Sequence, residues 1–117
     1  MSEPLPRASE GRCPKPQMQS LGADAIARAA TAALAQAPTV YRGTKLKGMR
    51  ATKSVLARSD DPGRGGYARV KCGRDAQAKT VVVYLEFPAM RPSASLSQGV
   101  VLVSKFADEY RVWAQLH

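Results

Sequence analysis

Few side chains in this sequence belong to the types that carry out acid–base or metal chemistry. The one histidine, His117, is a terminal residue, and chain ends hold a general base poorly. Cys13 and Cys72 lie far apart without a CxxC pair, so they do not supply the roughly four convergent ligands that zinc needs. Asp60 and Asp61 share a turn with proline and glycine, where carboxylates are normally solvated. We therefore predict that the protein is not an enzyme and uses no metal or cofactor.

A glycine-rich run at 63–66, GRGG, is a candidate phosphate-binding loop, because glycine-rich loops bind phosphates when they open a helix. It lacks the Lys-Ser/Thr pair that follows in a P-loop. Its position between two predicted strands favours a hairpin connection instead, within a turn over 59–66. Arg64, at the tip of such a loop, would still be able to reach a phosphate.

Positive charge is the strongest chemical feature of the chain. Its 117 residues include 18 lysines and arginines against 9 aspartates and glutamates, a net charge of +9. Residues 42–74 hold ten basic residues and two acidic ones, and the difference of +8 is nearly the whole excess. A surface built only for solubility would intersperse both signs. This concentration of cations predicts a polyanionic partner, either nucleic acid or an acidic protein.

A central β-strand over 79–87, KTVVVYLEF, is the best-defined element that can position these residues. Val, Tyr and Phe favour a pleated surface, and Pro88 lacks the N–H that a further ladder bond would need. Alternation places Val81, Val83 and every second residue up to Phe87 on one face, which must be buried. The residues between them point to the opposite face, which need not be covered.

Residues 66–74, GYARVKCGR, alternate in the same way and are predicted to form an antiparallel hairpin with the central strand. Ala68, Val70 and Cys72 would then join the core. The outer face would carry cations and two tyrosines, which suits phosphate neutralisation and the stacking of unpaired bases. The alternative is that these side chains only solvate an exposed sheet face. On the functional interpretation, the nucleic-acid-binding residues are Arg42, Lys45, Lys47, Arg50, Lys53, Arg58, Arg64, Tyr67, Arg69, Lys71, Arg74 and Tyr84.

An alanine-rich helix is predicted from Ser20 to Ala37, with Ser20 or Asp24 as its cap and Pro38 as its stop. Its apolar side chains recur at spacings of three and four, so we expect them to pack on the sheet. This stripe consists of Ile26, Ala30, Ala33, Leu34 and Ala37.

Three other segments are less sharply defined by pattern. Residues 39–58 alternate with a phase shift near Gly48, which favours a bulge or a turn between two strands, although a helix over 49–57 also fits. After a loop, residues 99–103 form an apolar strand. The apolar spacing in 104–116 fits both a helix and a strand face, and we favour the helix.

The predicted fold is α+β, with the N-terminal helix packed on four or five mostly antiparallel strands and a C-terminal helix if 104–116 is helical. It would form a single domain over 20–117, preceded by a disordered, proline-rich arm over 1–19. No signal peptide or membrane-spanning run is recognised, so we expect a cytoplasmic protein with reduced cysteines and no membrane partner. Strand edges with little chain to close them favour a homodimer.

Two resemblances to phage proteins bear on function. The order of a helix, a proline, a G-x-x-L-K pattern (Gly43, Leu46, Lys47) and strands resembles phage neck and tail-completion proteins. The run from Tyr67 to Leu116 is similar to the middle strands of single-stranded RNA phage coat proteins, but it lacks the C-terminal helices of that family. Either resemblance implies a virion component, and we transfer no site residue from it.

The leading prediction is a non-enzymatic, basic nucleic-acid-binding protein that uses a cationic sheet face within 42–74. The alternative is a structural, assembly or interaction protein. It would be a phage virion subunit or a small inhibitor that docks on an acidic protein partner.

Overall fold

The computed structural model describes residues 13–14, 17–57, 62–93 and 96–116; within 62–66 and at 71 it describes only the backbone. The chain forms a helix α1 (Ala25–Val40), a strand β1 (Arg50–Leu56), a helix α2 (Pro62–Gln77), a strand β2 (Thr80–Glu86), a short 3-10 turn (Pro88–Met90) and two further strands, β3 (Gln98–Phe106) and β4 (Glu109–Leu116). No helix among these residues is long and apolar enough to cross a bilayer.

The four strands form one antiparallel sheet in the order β1-β2-β3-β4. The predicted α+β class is confirmed, and so is the central position of the apolar strand. Val81, Val82 and Val83 of β2 are completely buried, because β2 lies between strands β1 and β3 and a helix packs on each face of the sheet. The predicted apolar strand at 99–103 lies within β3.

Helix α1 covers the first face of the sheet. It buries an alanine at every fourth position, where the short side chain lets the helix approach the strands closely. Ala33 and Ala37 of the predicted stripe are buried as expected, but Ala25 and Ala29 take the places predicted for Ile26 and Ala30, and Ile26 is 42% exposed. Pro38 lies inside the helix, which continues to Val40, so the predicted stop at Pro38 is wrong. The buried alanines are Ala25, Ala29, Ala33 and Ala37.

Helix α2 covers part of the second face, and its presence overturns the predicted hairpin. Residues 62–77 are helical apart from Gly73, so neither the turn expected through residue 66 nor the strand expected at 66–74 exists. Ala68, Cys72 and Ala76 recur every four residues and pack into a second core with Leu102. Val70, expected in the core, points away from the sheet and is 87% exposed.

The C-terminal segment is a strand, so the helix favoured for 104–116 is wrong. Leu102 pairs with Ala114 and Val103 with Val112, so Trp113 is an extra, bulged residue of β4 that breaks the alternation and hides the strand pattern in the sequence. Trp113 is completely buried on the second face, and its Nε1 donates a hydrogen bond to Ser104 Oγ at 2.9 Å. The indole therefore fixes β4 against β3.

Residues 41–49 form a loop, and the helix considered for 49–57 is wrong because β1 begins at Arg50. Gly48 has a φ of +77°, a conformation that favours glycine and makes the turn into β1. The strand expected before Gly48 does not exist, and the bulge lies further along the chain, between Ala51 and Lys53. This bulge adds Thr52 on the edge of the sheet.

Cys13 and Cys72 form a disulfide, which overturns the expectation that both are reduced. Their Cα atoms lie 5.6 Å apart, within the range a disulfide requires. Beyond this bond, Met18 is buried and Gln19 N donates a hydrogen bond to Lys105 O at 2.9 Å. The described part of the predicted arm therefore lies against the sheet, while residues 1–12 and 15–16 lie outside the described residues.

The edge of β4 is partly covered by a side chain of α1. Gln36 Oε1 accepts a hydrogen bond from Val112 N at 2.8 Å, and Gln36 Nε2 donates one to Tyr110 O at 3.0 Å. The amide thus occupies the backbone groups that a further strand would use. The predicted homodimer stays a prediction.

Candidate nucleic-acid interface

The sheet separates the predicted cations into two groups. Strand β1 runs antiparallel to β2, so Arg50 lies opposite Glu86 while Leu56 lies opposite Val81. These two ends of β1 are about 20 Å apart at the usual rise of a strand. Residues joined to the Arg50 end and residues joined to the Leu56 end therefore form separate surfaces.

The loop at 41–49 holds three of the cations at the Arg50 end. Its first residue, Tyr41, packs its ring against Phe87, with the ring centroids 4.8 Å apart. Lys45 N donates a hydrogen bond to Met90 Sδ at 3.3 Å, which fastens the loop to the 3-10 turn after β2. Arg42, Lys45 and Lys47 are exposed on this loop.

Tyr41 is buried at the foot of the loop, where its hydroxyl has no hydrogen-bond partner of normal geometry. Burial raises the pKa of Tyr41 to about 12, and the backbone of Val100 acts weakly in the opposite direction. A Cβ on Gly99 would lie 2.7 Å from Tyr41 Cζ. The missing side chain at Gly99 therefore lets the Tyr41 ring seat the loop on β3.

Arg91 is a cation that the sequence analysis missed, because it lies outside the basic segment. Glu86 explains its position. Glu86 Oε1 lies 2.7 Å from Arg50 Nη2 and 3.0 Å from Arg91 Nη2, so one carboxylate joins β1 to the turn after β2. The Arg50 and Arg91 side chains remain 66% and 58% exposed, which leaves most of each guanidinium open to a further anion.

Six exposed cations lie toward the Arg50 end of β1, and we call them the basic end of the molecule. Among the described residues, Glu86 is the one carboxylate there, so six cations and one anion give a local charge of +5. The other described carboxylates lie toward the opposite end of the sheet, near α2, the start of α1 or the β3–β4 turn. The basic end consists of Arg42, Lys45, Lys47, Arg50, Lys53 and Arg91.

Beside the basic end, an open groove of about 260 Å³ crosses the second face of the sheet. Helix α2 buries this face at Val82 but leaves Tyr84, two residues along β2, only half-buried. Lys53 lies directly opposite Tyr84 on β1, and its Nζ is 5.4 Å from the centroid of the ring. The groove is lined by Thr52, Lys53, Tyr84, Leu85, Glu86, Gln98, Gly99 and Val100.

The predicted platform of tyrosines and cations on one sheet face is wrong, because half of its members lie on α2. Tyr67 is half-buried and packs against the second core, and Arg69 and Arg74 are exposed on the helix. The structure thus brings Arg42, Lys45, Lys47, Arg50, Lys53 and Tyr84 together and places Tyr67, Arg69 and Arg74 elsewhere.

Other predicted positions lie beyond what the structure describes. Arg58, Asp60, Asp61 and His117 fall outside the described residues. Arg64 and Lys71 lie on α2, where only their backbone is described, and 63–66 is helical and not a hairpin loop. The role predicted for each of these side chains therefore stays a prediction.

Among the described residues, no three His, Cys, Asp or Glu side chains converge as metal ligands.

Comparisons with known proteins add no information. No family model, curated protein or solved structure matches the chain. Function is therefore inferred from the basic end and from the groove beside it.

Proposed function

We propose that this chain is a non-enzymatic nucleic-acid-binding protein that contacts phosphates through its basic end. The observation that carries the proposal is the collection of six exposed cations from three separate segments around one carboxylate, which is itself engaged by two of them. Cations scattered for solubility would be accompanied by a similar number of carboxylates.

The charge arrangement fits a polymer better than a small anion. The cations lie on an exposed loop, on the edge strand β1 and after the 3-10 turn. They are not gathered around one enclosed cavity. A polyanion that follows this surface can contact several cations at once and release its own counterions.

Salt dependence gives the experiment its sharpest readout. If all six cations contacted phosphates, the logarithm of the binding constant would fall with a slope of about −5 against the logarithm of salt concentration on a duplex. Affinity would then drop about 1000-fold between roughly 50 and 200 mM salt. We expect a measured slope between about −3 and −5, since not every contact forms at once.

The experiment is fluorescence anisotropy with labelled single-stranded and double-stranded oligonucleotides at both salt concentrations. Binding with the predicted slope supports the proposal. A slope near zero, or no binding at the lower salt concentration, contradicts it.

Leu96 favours a second candidate function, docking on an acidic protein. This leucine lies in the loop between the 3-10 turn and β3, at the same end of the sheet, and it is 58% exposed. Apolar side chains beside cations are more typical of protein interfaces than of phosphate-binding surfaces. An acidic polypeptide such as polyglutamate that binds more tightly than an oligonucleotide of equal charge, and whose binding weakens on Leu96→Ser, would favour this second function.

A further inference from the structure

The groove on the second face has the shape and chemistry of a site for one planar ring. Its volume of about 260 Å³ lies below the roughly 300–1,000 Å³ of pockets that enclose drug-sized ligands. Tyr84 and Val100, cross-strand partners on β2 and β3, supply aromatic and aliphatic surface. A single planar group would fill such a groove, and a larger ligand would project from it.

Polar groups surround this apolar surface. Gln98 lies opposite Glu86 on neighbouring strands, and both side chains line the groove. The Gln98 amide can donate and accept hydrogen bonds, and the carboxylate can accept them. These are the groups that hydrogen-bond the edge of a nucleobase.

Lys53 is placed to serve a ligand at Tyr84. The bulge at Thr52 turns the edge of β1 at this point, and Lys53 Nζ contacts the Tyr84 ring. Among the described residues Lys53 forms no ion pair with a carboxylate. A base stacked on Tyr84 can therefore replace the ammonium on the ring and leave it free for the adjoining phosphate.

We infer that the groove binds one unpaired nucleobase of a single-stranded nucleic acid, stacked on Tyr84, while the basic end holds the flanking phosphates. This inference rests on the proposed nucleic-acid function and adds the strand type and the stacking residue. A paired base does not offer its face to a protein side chain. The site should therefore favour single strands over a duplex with the same number of phosphates.

The test uses two labelled single strands of about 15 units that carry the same phosphates. One is oligothymidine, and the other consists of abasic units. One stacked base predicts that the wild-type protein binds oligothymidine about 5- to 150-fold more tightly. Removal of the ring by Tyr84→Leu should abolish this preference by lowering the affinity for oligothymidine to that for the abasic strand. Tyr84→Phe, the matched control, should retain the preference because it retains the ring.

A second variant protects the test against loss of folding by Tyr84→Leu. Gln98 is exposed at the start of β3, so Gln98→Leu should preserve the fold while removing the amide that hydrogen-bonds the edge of the base. It should also reduce the preference for oligothymidine. Thermal unfolding of each variant identifies those that remain native at the assay temperature.

The outcomes separate the groove from the basic end. Equal wild-type affinity for both strands, with a steep salt slope, would overturn the base site and leave the phosphate-binding function standing. A preference that persists in folded Tyr84→Leu, or that is undiminished in folded Gln98→Leu, would also overturn it, because the base would then bind elsewhere. Absence of binding to either strand, or tighter binding to polyglutamate, would overturn both proposals.

Discussion

Arg50 and Glu86 face each other across the ladder between β1 and β2, with Arg50 Nη2 2.7 Å from Glu86 Oε1. Arg91 Nη2 approaches the same oxygen at 3.0 Å. One carboxylate therefore orients two guanidinium groups and compensates only half of their charge. Glu86 has two roles: it positions the basic end and lowers its positive potential.

Glu86→Gln should increase affinity for a polyanion. The change releases Arg50 and Arg91 and raises the local charge, so we expect binding to tighten about two- to fivefold at low salt. Asp108→Asn is the matched control, since Asp108 is an exposed carboxylate in the β3–β4 turn and its loss changes net charge equally. Anisotropy titrations of both variants provide the measurement. Equal effects would mean that only net charge matters, contrary to a localised site.

Tyr41→Phe should stabilise the protein. The Tyr41 hydroxyl is buried without a hydrogen-bond partner of normal geometry, and such a group costs about 1 kcal/mol or more relative to an apolar one. The ring and its contact with Phe87 would remain. Chemical denaturation should show a free energy of unfolding higher by about 1 kcal/mol. A loss of stability would show instead that the hydroxyl is well satisfied.

The same residue predicts a dependence of stability on alkaline pH. The pKa of Tyr41 is about 12 in the folded protein against an ordinary value of 10.0, so the unfolded chain loses this proton first. Its contribution is fully present below pH 10.0 and is lost as pH rises toward about 12. The wild type should therefore lose stability relative to Tyr41→Phe across this interval. Parallel pH dependences of the two proteins would contradict the raised pKa.

The disulfide should contribute substantially to stability. Cys13 and Cys72 are separated by 59 positions, and closing a loop of that length in the unfolded chain stabilises the folded state by about 4 kcal/mol. Cys13→Ser and Cys72→Ser should each lower the free energy of unfolding by roughly 2–4 kcal/mol. The serine variants should resemble the wild type measured under reducing conditions.

A thiol titration checks the pairing itself. The unfolded wild-type protein, kept oxidised, should show no free thiol, and each single serine variant should show one. Two reactive thiols in the oxidised wild type, or serine variants as stable as the parent, would contradict the bond.

The elements that the sequence predicts well are those in which one pattern outweighs the others. Strand β2 is an unbroken apolar run that ends before Pro88, and α1 is rich in alanine. Helix α2 has an ambiguous pattern, because Ala68 and Cys72, four apart on a helix, also share the parity of a strand face. In strand β4, the bulged residue Trp113 breaks the alternation, so its apolar spacing also fits a helix.

The candidate site was predictable only in part. The basic segment identified Arg50 and Lys53, because a charge surplus is visible without any fold. Arg91 joins them through Glu86, and that contact depends on the strand register and on the turn after β2. The pairing of Cys13 with Cys72 likewise could not be predicted, because the sequence positions of two distant cysteines do not determine the distance between them in the fold.

The most direct test of the basic end compares two double variants of equal charge. Lys45→Ala/Lys47→Ala alters the loop at the basic end, and Arg69→Ala/Arg74→Ala alters exposed positions on α2. Anisotropy with a single-stranded oligonucleotide would be measured from about 50 to 200 mM salt. We predict that the loop variant binds more weakly, with a salt slope shallower by about 1 to 2, while the helix variant stays close to the wild type. Equal losses in the two variants, or a larger loss in the helix variant, would contradict a nucleic-acid interface at the basic end.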